Sequence, residues 1–351
     1  MNKRLLLVDD SPSALLSLRR MLEAGSDFDI VGQARTAQEA IRLARETRPD
    51  LVTMDVYLDG QDGVETARAI LATIATRVVL VTGLDPARAD LAFRALEVGA
   101  LDVLAKPPLS TDEASNRARR RFVSALQALS EVRLLGGSLK TSANARAASK
   151  QAPNQHLHAL IALGASTGGP AVLLRVLQAL PQPFPAPVVI VQHIEDAYAQ
   201  SFAEWLQSTG HKVVVVEEGI PARPGQVYVA NGHAHLVLAR GGHLTSNAGP
   251  PRNFQVPSVD VFFESLAELA PRETFAALLS GMGEDGAQGL LALAHSGATT
   301  VVQSLDSCVV PGMPHAALRN GAAHLELTPE EIARAAERFV TTKAGLKGNS
   351  T

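Results

Sequence analysis

Short, predominantly apolar runs alternate with helix-period stretches along most of this 351-residue chain, and that alternation constrains the fold more than any other feature. In the first part the runs are RLLLV (4–8), DIVGQA (29–34), DLVTMDV (50–56), RVVLVTG (77–83) and DVLAK (102–106). Amphipathic stretches lie near 13–24, 37–46, 63–73, 86–98 and 111–129. A strand that is apolar throughout must be covered on both faces, which is the condition of a parallel sheet between two layers of helices. The pattern predicts a flavodoxin-like, doubly wound α/β domain. A second series predicts strands at 157–164, 187–193, 212–217, 226–230, 235–240, 275–280 and 298–303. Its helices are expected at 169–180, 197–208, 257–270, 286–296, 312–320 and 329–342. The run QVYVANGHAHLVLARGGHLT alternates with short turns and predicts an antiparallel excursion beside this second parallel sheet.

Between the two series the pattern lapses. Residues 134–155, LLGGSLKTSANARAASKQAPNQ without its first two residues' apolar character carried on, hold Ser, Ala, Asn and Gln with no apolar period. They read as a flexible linker. The expected organisation is a domain over 1–125, a helix end and linker over 126–156, and a second domain over 157–345.

Composition narrows the function classes. A net charge of −3 with both signs interspersed gives no general basis for nucleic-acid binding. Arg117, Arg119, Arg120 and Arg121 cluster, but they read as the solvated face of one helix. A single cysteine, Cys308, excludes an internal disulfide and any zinc site built on several cysteines; it reads as a small buried hydrophobe. The apolar run after MNKR stops at Val8, too short for a signal-peptide core, and no stretch is long enough to span a bilayer. The expected location is cytoplasmic.

In an open α/β sheet ligands collect at the carboxyl ends of the strands. In the first domain those ends carry Asp9 and Asp10, then Asp55, Thr82 and Lys106. Three carboxylates on one rim repel one another and call for a hard cation such as Mg²⁺. Lys106 adds a positive charge and Thr82 a hydroxyl, so the group suits a phosphoryl group carried on Asp55. LLLVDDSP, DLVTMDV, VVLVTG and VLAKP resemble the response-regulator receiver domain. That resemblance implies that Asp55 accepts phosphate from a histidine kinase, that Asp9, Asp10 and the Tyr57 carbonyl help hold Mg²⁺, and that Thr82 and Lys106 read the phosphate. Receivers often place an aromatic residue where this chain has Val103.

In the second domain, GASTGGP (164–170) follows one apolar run and precedes a helix. Its glycines could cradle a phosphate at the helix N-terminus, or they could expose Ser166 as a nucleophile. No Gly-Lys-Ser/Thr follows, and no lysine appears before Lys212, so a phosphate would lack its usual counter-charge. A nucleophilic serine needs a base and a group that orients the base. His193 ends the run APVVIVQH on the same rim. His233 and His235 form an H-x-H pair with no carboxylate cluster in sequence beside it and read as turn and strand residues; His156 and His158 are weaker still. Asp285, between glycines in SGMGEDGAQGLL, is the preferred orienting acid over Asp260, which falls within a helix, and Asp306, in a loop. The order Ser…His…Asp differs from that of α/β-hydrolases, so the triad is mounted on another fold.

GASTGGP, PVVIVQHI, PSVDVFFESLA, SGMGEDGAQGLLAL and GMPHAAL are similar to the C-terminal domain of the chemotaxis protein-glutamate methylesterases. The resemblance implies hydrolysis of glutamate γ-methyl esters on methyl-accepting chemotaxis receptors, and deamidation of receptor glutamines, with no cofactor for the ester chemistry. It makes Ser166 the nucleophile, His193 the base and Asp285 the orienter, with Thr167 and Met282 lining the site. It further implies a receiver that restrains the esterase until phosphorylated. A non-catalytic signalling adaptor is the rival reading, and a receiver-controlled DNA binder a third, for which no recognition-helix motif is present.

Overall fold

A computed structural model describes residues 2–25, 28–58, 60–83, 89–110, 112–132 and 159–348. The expected linker, with His156 and His158, lies outside the described residues. The chain divides into two compact units, Met1–Lys140 and Thr141–Thr351. Among the described residues no helix is long and apolar enough to cross a membrane.

In the first unit the elements run β1 (Lys3–Val8), α1 (Pro12–Gly25), β2 (Phe28–Ala34), α2 (Ala37–Thr47), β3 (Leu51–Met54), β4 (Tyr57–Leu58), β5 (Gln61–Asp62), α3 (Gly63–Leu71), β6 (Arg77–Thr82), α4 (Ala89–Glu97), β7 (Val103–Ala105) and α5 (Glu113–Ser130). The sheet order is β2-β1-β3-β6-β7, parallel throughout. This is the expected doubly wound topology, and its order reverses between β1 and β3, which opens a crevice beyond their carboxyl ends. The β4–β5 pair is a small antiparallel hairpin that the sequence pattern does not announce, because two-residue strands carry no readable alternation. Asp62 caps α3 by accepting the Val64 N–H at 2.8 Å. The arginine cluster on α5 is partly consumed internally: Arg117 pairs with Glu113 at 2.6 Å, and Arg119 donates to the Pro108 carbonyl at 3.1 Å.

The second unit continues with β8 (Leu160–Ala165), α6 (Gly169–Ala179), β9 (Val188–Gln192), α7 (Asp196–Leu206), β10 (Lys212–Val216), β11 (Ile220–Pro221), β12 (Gln226–Ala230), β13 (His235–Ala239), β14 (His243–Asn247), α8 (Val259–Leu269), β15 (Thr274–Leu278), α9 (Ala287–His295), β16 (Thr299–Gln303), α10 (Gly312–Arg319), β17 (Leu325–Leu327) and α11 (Pro329–Gly348). Seven parallel strands form one sheet in the order β10-β12-β9-β8-β15-β16-β17. β8, β9 and β15 are buried at every position, as their unbroken apolar runs require.

The antiparallel excursion is smaller than expected at one end and larger at the other. β12 is a parallel member of the main sheet, paired with β10 and β9, so the Asn231–Ala234 turn changes sheets and does not close a hairpin. The excursion proper is a separate three-stranded sheet, β11-β14-β13.

The chain runs from β8 through α6 to β9 on one side, whereas β15 lies on the other side of β8. This is the topological switch of the sheet, and the loops after β8, β9 and β15 meet there. α8 closes the same end. Gly164 permits it, because a Cβ at that position would stand 2.3 Å from Val259 Cγ1.

Candidate functional site

Each unit presents one cluster at the carboxyl ends of its strands. In the first, Asp9 and Asp10 follow β1, Asp55 follows β3, Thr82 ends β6 and Lys106 follows β7, as the sequence reading placed them. Lys106 Nζ lies 2.7 Å from Asp9 Oδ2 and 2.6 Å from Asp55 Oδ2. Ligand oxygens of Asp9, Asp10 and Asp55 all lie within 4.8 Å of one another, and no other such group occurs among the described residues.

Burial raises the Asp55 carboxyl above its ordinary range, with the Asp9 charge adding to it and Lys106 offsetting only part. Burial works the other way on Lys106, yet the two carboxylates prevail and its ammonium is held above the usual value. The pair is uneven because Asp55 is the more buried partner, its side chain 8% exposed against 24% for Lys106. The three acids offer hard carboxylate oxygens, a set that fits a hard divalent cation, and the Lys106 ammonium stands beside them as a second positive charge. Val103, at the position where receivers often carry an aromatic residue, packs partly buried against the core of this unit.

In the second unit Ser166 stands one residue past β8 and His193 one residue past β9. The register pairs Ala165 with Gln192, and the His193 N–H donates to the Ala165 carbonyl at 3.0 Å, so nucleophile and base candidates occupy neighbouring strand ends. Gln192 adds a tie that the sequence reading missed. Its buried amide donates to the Ser166 carbonyl at 2.9 Å and to the His193 carbonyl at 3.1 Å.

Asp285 lies in the turn before α9 and is buried. Its Oδ2 accepts from His193 Nε2 at 2.8 Å and from the Val259 N–H at 2.7 Å. Its Oδ1 accepts from the Ser258 hydroxyl at 2.8 Å. Burial by itself would raise this carboxyl, but the bonds from His193, Val259 and Ser258 outweigh it and hold the group down to about 2. His193 Nε2 therefore carries the proton given to Asp285. His193 Nδ1 is buried and has no hydrogen-bond partner among the described residues.

Two backbone N–H groups of the Ser166 turn are spent within the fold and are not open to a substrate oxygen. The Ser166 N–H is already committed to the Ser280 carbonyl at 3.0 Å, because β15 runs parallel beside β8 and its continuation takes up that proton. The Gly169 N–H is likewise spent on the Ser166 carbonyl at 2.8 Å. Thr167 and Met282 are both partly buried, and the Thr167 carbonyl accepts from the Ser280 hydroxyl at 2.9 Å.

The remaining candidates lie elsewhere. Carboxylates do stand beside His233, Asp196 at 2.8 Å and Glu217 at 3.9 Å, but all three side chains are about half exposed. His235 turns inward and does not join them: its Nδ1 accepts the Ser258 N–H at 3.1 Å and its Nε2 donates to the Pro250 carbonyl at 3.0 Å. Asp260 lies in the first turn of α8, fully buried, and takes the Gly289 N–H at 2.7 Å. Cys308 is only partly buried, and burial still pushes its thiol up to about 12, well away from a thiolate. Ser258 was the least visible contributor, since a serine before a helix reads as an N-cap, a role it also plays for the Val261 N–H at 3.4 Å.

A doubly wound acidic-rim domain followed by an α/β domain with Ser, His and Asp on one rim defines a response regulator with an enzyme-like output domain. Comparison with known proteins agrees in both parts. Residues 5–117 match the response regulator receiver domain and residues 161–336 match CheB methylesterase. A Methanospirillum hungatei protein named protein-glutamate methylesterase/protein-glutamine glutaminase 2 is 39% identical, with 94% of this chain and 96% of the relative covered. A Burkholderia thailandensis protein of the same name is 39% identical over 91% of this chain and 94% of its own. The crystal structure of the Thermotoga maritima CheB methylesterase catalytic domain is 34% identical, with a TM-score of 0.50, 51% of this chain covered and 97% of that one. This chain belongs to the CheB methylesterase family.

Proposed function

We propose that this chain is a phosphorylation-controlled protein-glutamate methylesterase and protein-glutamine glutaminase that acts on methyl-accepting chemotaxis receptors. The observation that carries the chemistry is the buried His193–Asp285 pair at 2.8 Å on the strand next to the Ser166 turn. Ser166 Oγ attacks the carbonyl carbon of the glutamyl ester or glutaminyl amide. His193 takes the hydroxyl proton and returns it to the leaving group, which departs as methanol or ammonia. Water, deprotonated by the same imidazole, cleaves the acyl-serine and regenerates Ser166.

The base nitrogen in this reading is Nδ1, since Nε2 is held by Asp285; the template triad of serine proteases uses the two nitrogens the other way round. Asp285 fixes the tautomer and balances the imidazolium. With the Ser166 N–H committed, the backbone N–H groups of Thr167 and Met282 are the donors for the tetrahedral oxyanion.

The first domain, over 1–125, supplies control, and 126–156 joins it to the catalytic domain over 157–345. A histidine kinase of the chemotaxis type is the phosphodonor for Asp55, with Thr82 and Lys106 contacting the phosphoryl oxygens. Asp9, Asp10 and Asp55, with the Tyr57 carbonyl, would hold Mg²⁺, which supplies the positive charge that lets a phosphoryl group enter an acidic rim. The ester chemistry uses no cofactor, and the expected setting is the cytoplasm.

The experiment is methanol release from methylated receptor membranes by full-length protein, with and without a small-molecule phosphodonor. Release that rises with donor supports both halves of the reading. No release under either condition sinks it and favours the adaptor.

A further inference from the structure

Two buried carboxylates stand together behind the proposed base, and one exposed turn separates them. The turn is Arg252–Gln255. Its ends exchange backbone bonds, the Arg252 N–H to the Gln255 carbonyl at 3.1 Å and the return bond at 2.9 Å. Its two central residues both have positive φ, 51° at Asn253 and 61° at Phe254. Asparagine enters this region readily; phenylalanine does so at a cost, and Phe254 gains nothing from burial because it is 72% exposed. A turn kept in an unfavourable conformation is over-determined by its surroundings. Here Arg252 forks onto Glu264 at 2.7 and 3.1 Å, and His235 holds the Pro250 carbonyl at 3.0 Å.

The turn directs the Asn253 amide inward. Its Nδ2 lies 2.7 Å from Asp260 Oδ2 and 3.3 Å from Asp285 Oδ1. An amide nitrogen has two protons, so it can give one to each acid. Asp260 also approaches Asp285 through its own N–H, 3.3 Å from Asp285 Oδ1, so the two acids are near neighbours. Without the amide they would repel across a buried gap, and Asp285 would be drawn toward protonation or toward a new partner. Either change weakens its hold on His193.

We propose that Asn253 is a positioning residue for the hydrolysis, separating Asp260 from Asp285 so that Asp285 stays ionised and aligned on His193 Nε2. The proposal rests on the Ser166–His193–Asp285 reading. Burial already pushes the Asp260 carboxyl up to about 6, with Asp285 contributing as a like charge, while the Gly289 N–H and Arg252 pull the other way. Glu264 is the other acid acting on Asp260, and His193 is the cation-forming group acting on Asp285.

The test uses full-length protein and methylated receptor membranes, with kcat and KM measured from pH 5.5 to 8.5 for wild type, Asn253→Gly, Asn253→Asp and Ser166→Ala. Glycine keeps the positive φ and removes only the amide. It should lower kcat about tenfold with KM within about twofold, the pattern of a group that aligns catalytic machinery and leaves substrate binding alone. Aspartate adds a third carboxylate and should lower kcat about a hundredfold at pH 8, with the deficit shrinking as the pH falls, because a protonated acid again donates a hydrogen bond. Wild-type kcat in both variants, or a deficit in the aspartate variant that is constant with pH, overturns the proposal. Ser166→Ala separates the two levels. If it remains active, the site reading itself fails; if it is inactive while both Asn253 variants match wild type, only the role of Asn253 fails.

Discussion

His193 Nε2–H donates a hydrogen bond to the Asp285 carboxylate at 2.8 Å, while Nδ1 is buried and without a partner among the described residues. A buried nitrogen with no partner is costly in a structural role. It is what a general base requires before substrate arrives. Ser166 stands at the adjoining strand end, and Gln192 fixes the two main chains to each other through one amide.

Replacing the nucleophile tests this arrangement most directly. Ser166→Ala should fold normally and lose methanol release by about a thousandfold or more, since only binding and oxyanion donors remain. A rate within tenfold of wild type would falsify the nucleophile assignment.

The acid is tested by a pair of variants. Asp285→Asn presents an amide where His193, Val259 and Ser258 all donate, so one bond is lost and the imidazole tautomer inverts. Turnover should fall by about 10⁴. Asp260→Asn should cost far less turnover, because Asp260 reaches Asp285 only through Asn253 and its own N–H. If steady-state rates rank the two variants in the reverse order, Asp260 and not Asp285 is the orienting acid.

Control by the receiver is tested with two rates. Asp55→Asn should abolish the rise in methanol release on adding phosphodonor, and chelation of Mg²⁺ should do the same in wild type. A fragment beginning near residue 150 should be faster than unphosphorylated full-length protein if the receiver restrains the esterase. A slower fragment, with donor still raising the full-length rate, would mean that the receiver activates by contact or by recruiting substrate.

Stability should depend on pH through the two buried acids in opposite senses. Asp285, held to about 2, contributes stability that is complete above the ordinary carboxylate value of 3.8 and is lost as pH falls toward 2. Asp260, raised to about 6, binds its proton more tightly folded than unfolded, so its contribution is complete below 3.8 and is lost as pH rises through 6. Asp260→Asn removes that loss. Urea midpoints at pH 4.5 and 7 should therefore show the variant gaining on wild type as pH rises; a difference that stays constant between the two pH values contradicts the raised carboxyl.

The strand-end residues were legible because an apolar run stops where its strand does. That rule located Asp9, Asp55, Thr82, Lys106, Ser166 and His193, and the glycines around Asp285 marked its loop. Residues that act across the fold were not legible. Gln192 sits just before the histidine that ends its run, Ser258 reads as a helix cap, and Asn253 lies in a loop whose approach to Asp285 depends on where α8 packs. The commitment of the Ser166 N–H was hidden for a similar reason: nothing local says that β15 lies beside β8. The parallel placement of β12 was missed because a short polar turn looks the same whether it closes a hairpin or leaves the sheet, and β17 because a three-residue, mostly exposed edge strand has no pattern to read.

Lys106 touches Asp9 and Asp55 at once in the resting receiver. Its charge is delivered by the chain itself and cannot be diluted or chelated away. The unmodified rim is thus a bonded arrangement in its own right, a latch that is closed and not merely unset. If Asp55 is the phosphoryl acceptor, as proposed, the incoming group must compete for that ammonium, and its hydrolysis returns the lysine to the same carboxylate. On the proposed role of Asp55, return to the resting rim needs no partner from solution, because the chain itself supplies the ammonium that the two carboxylates share.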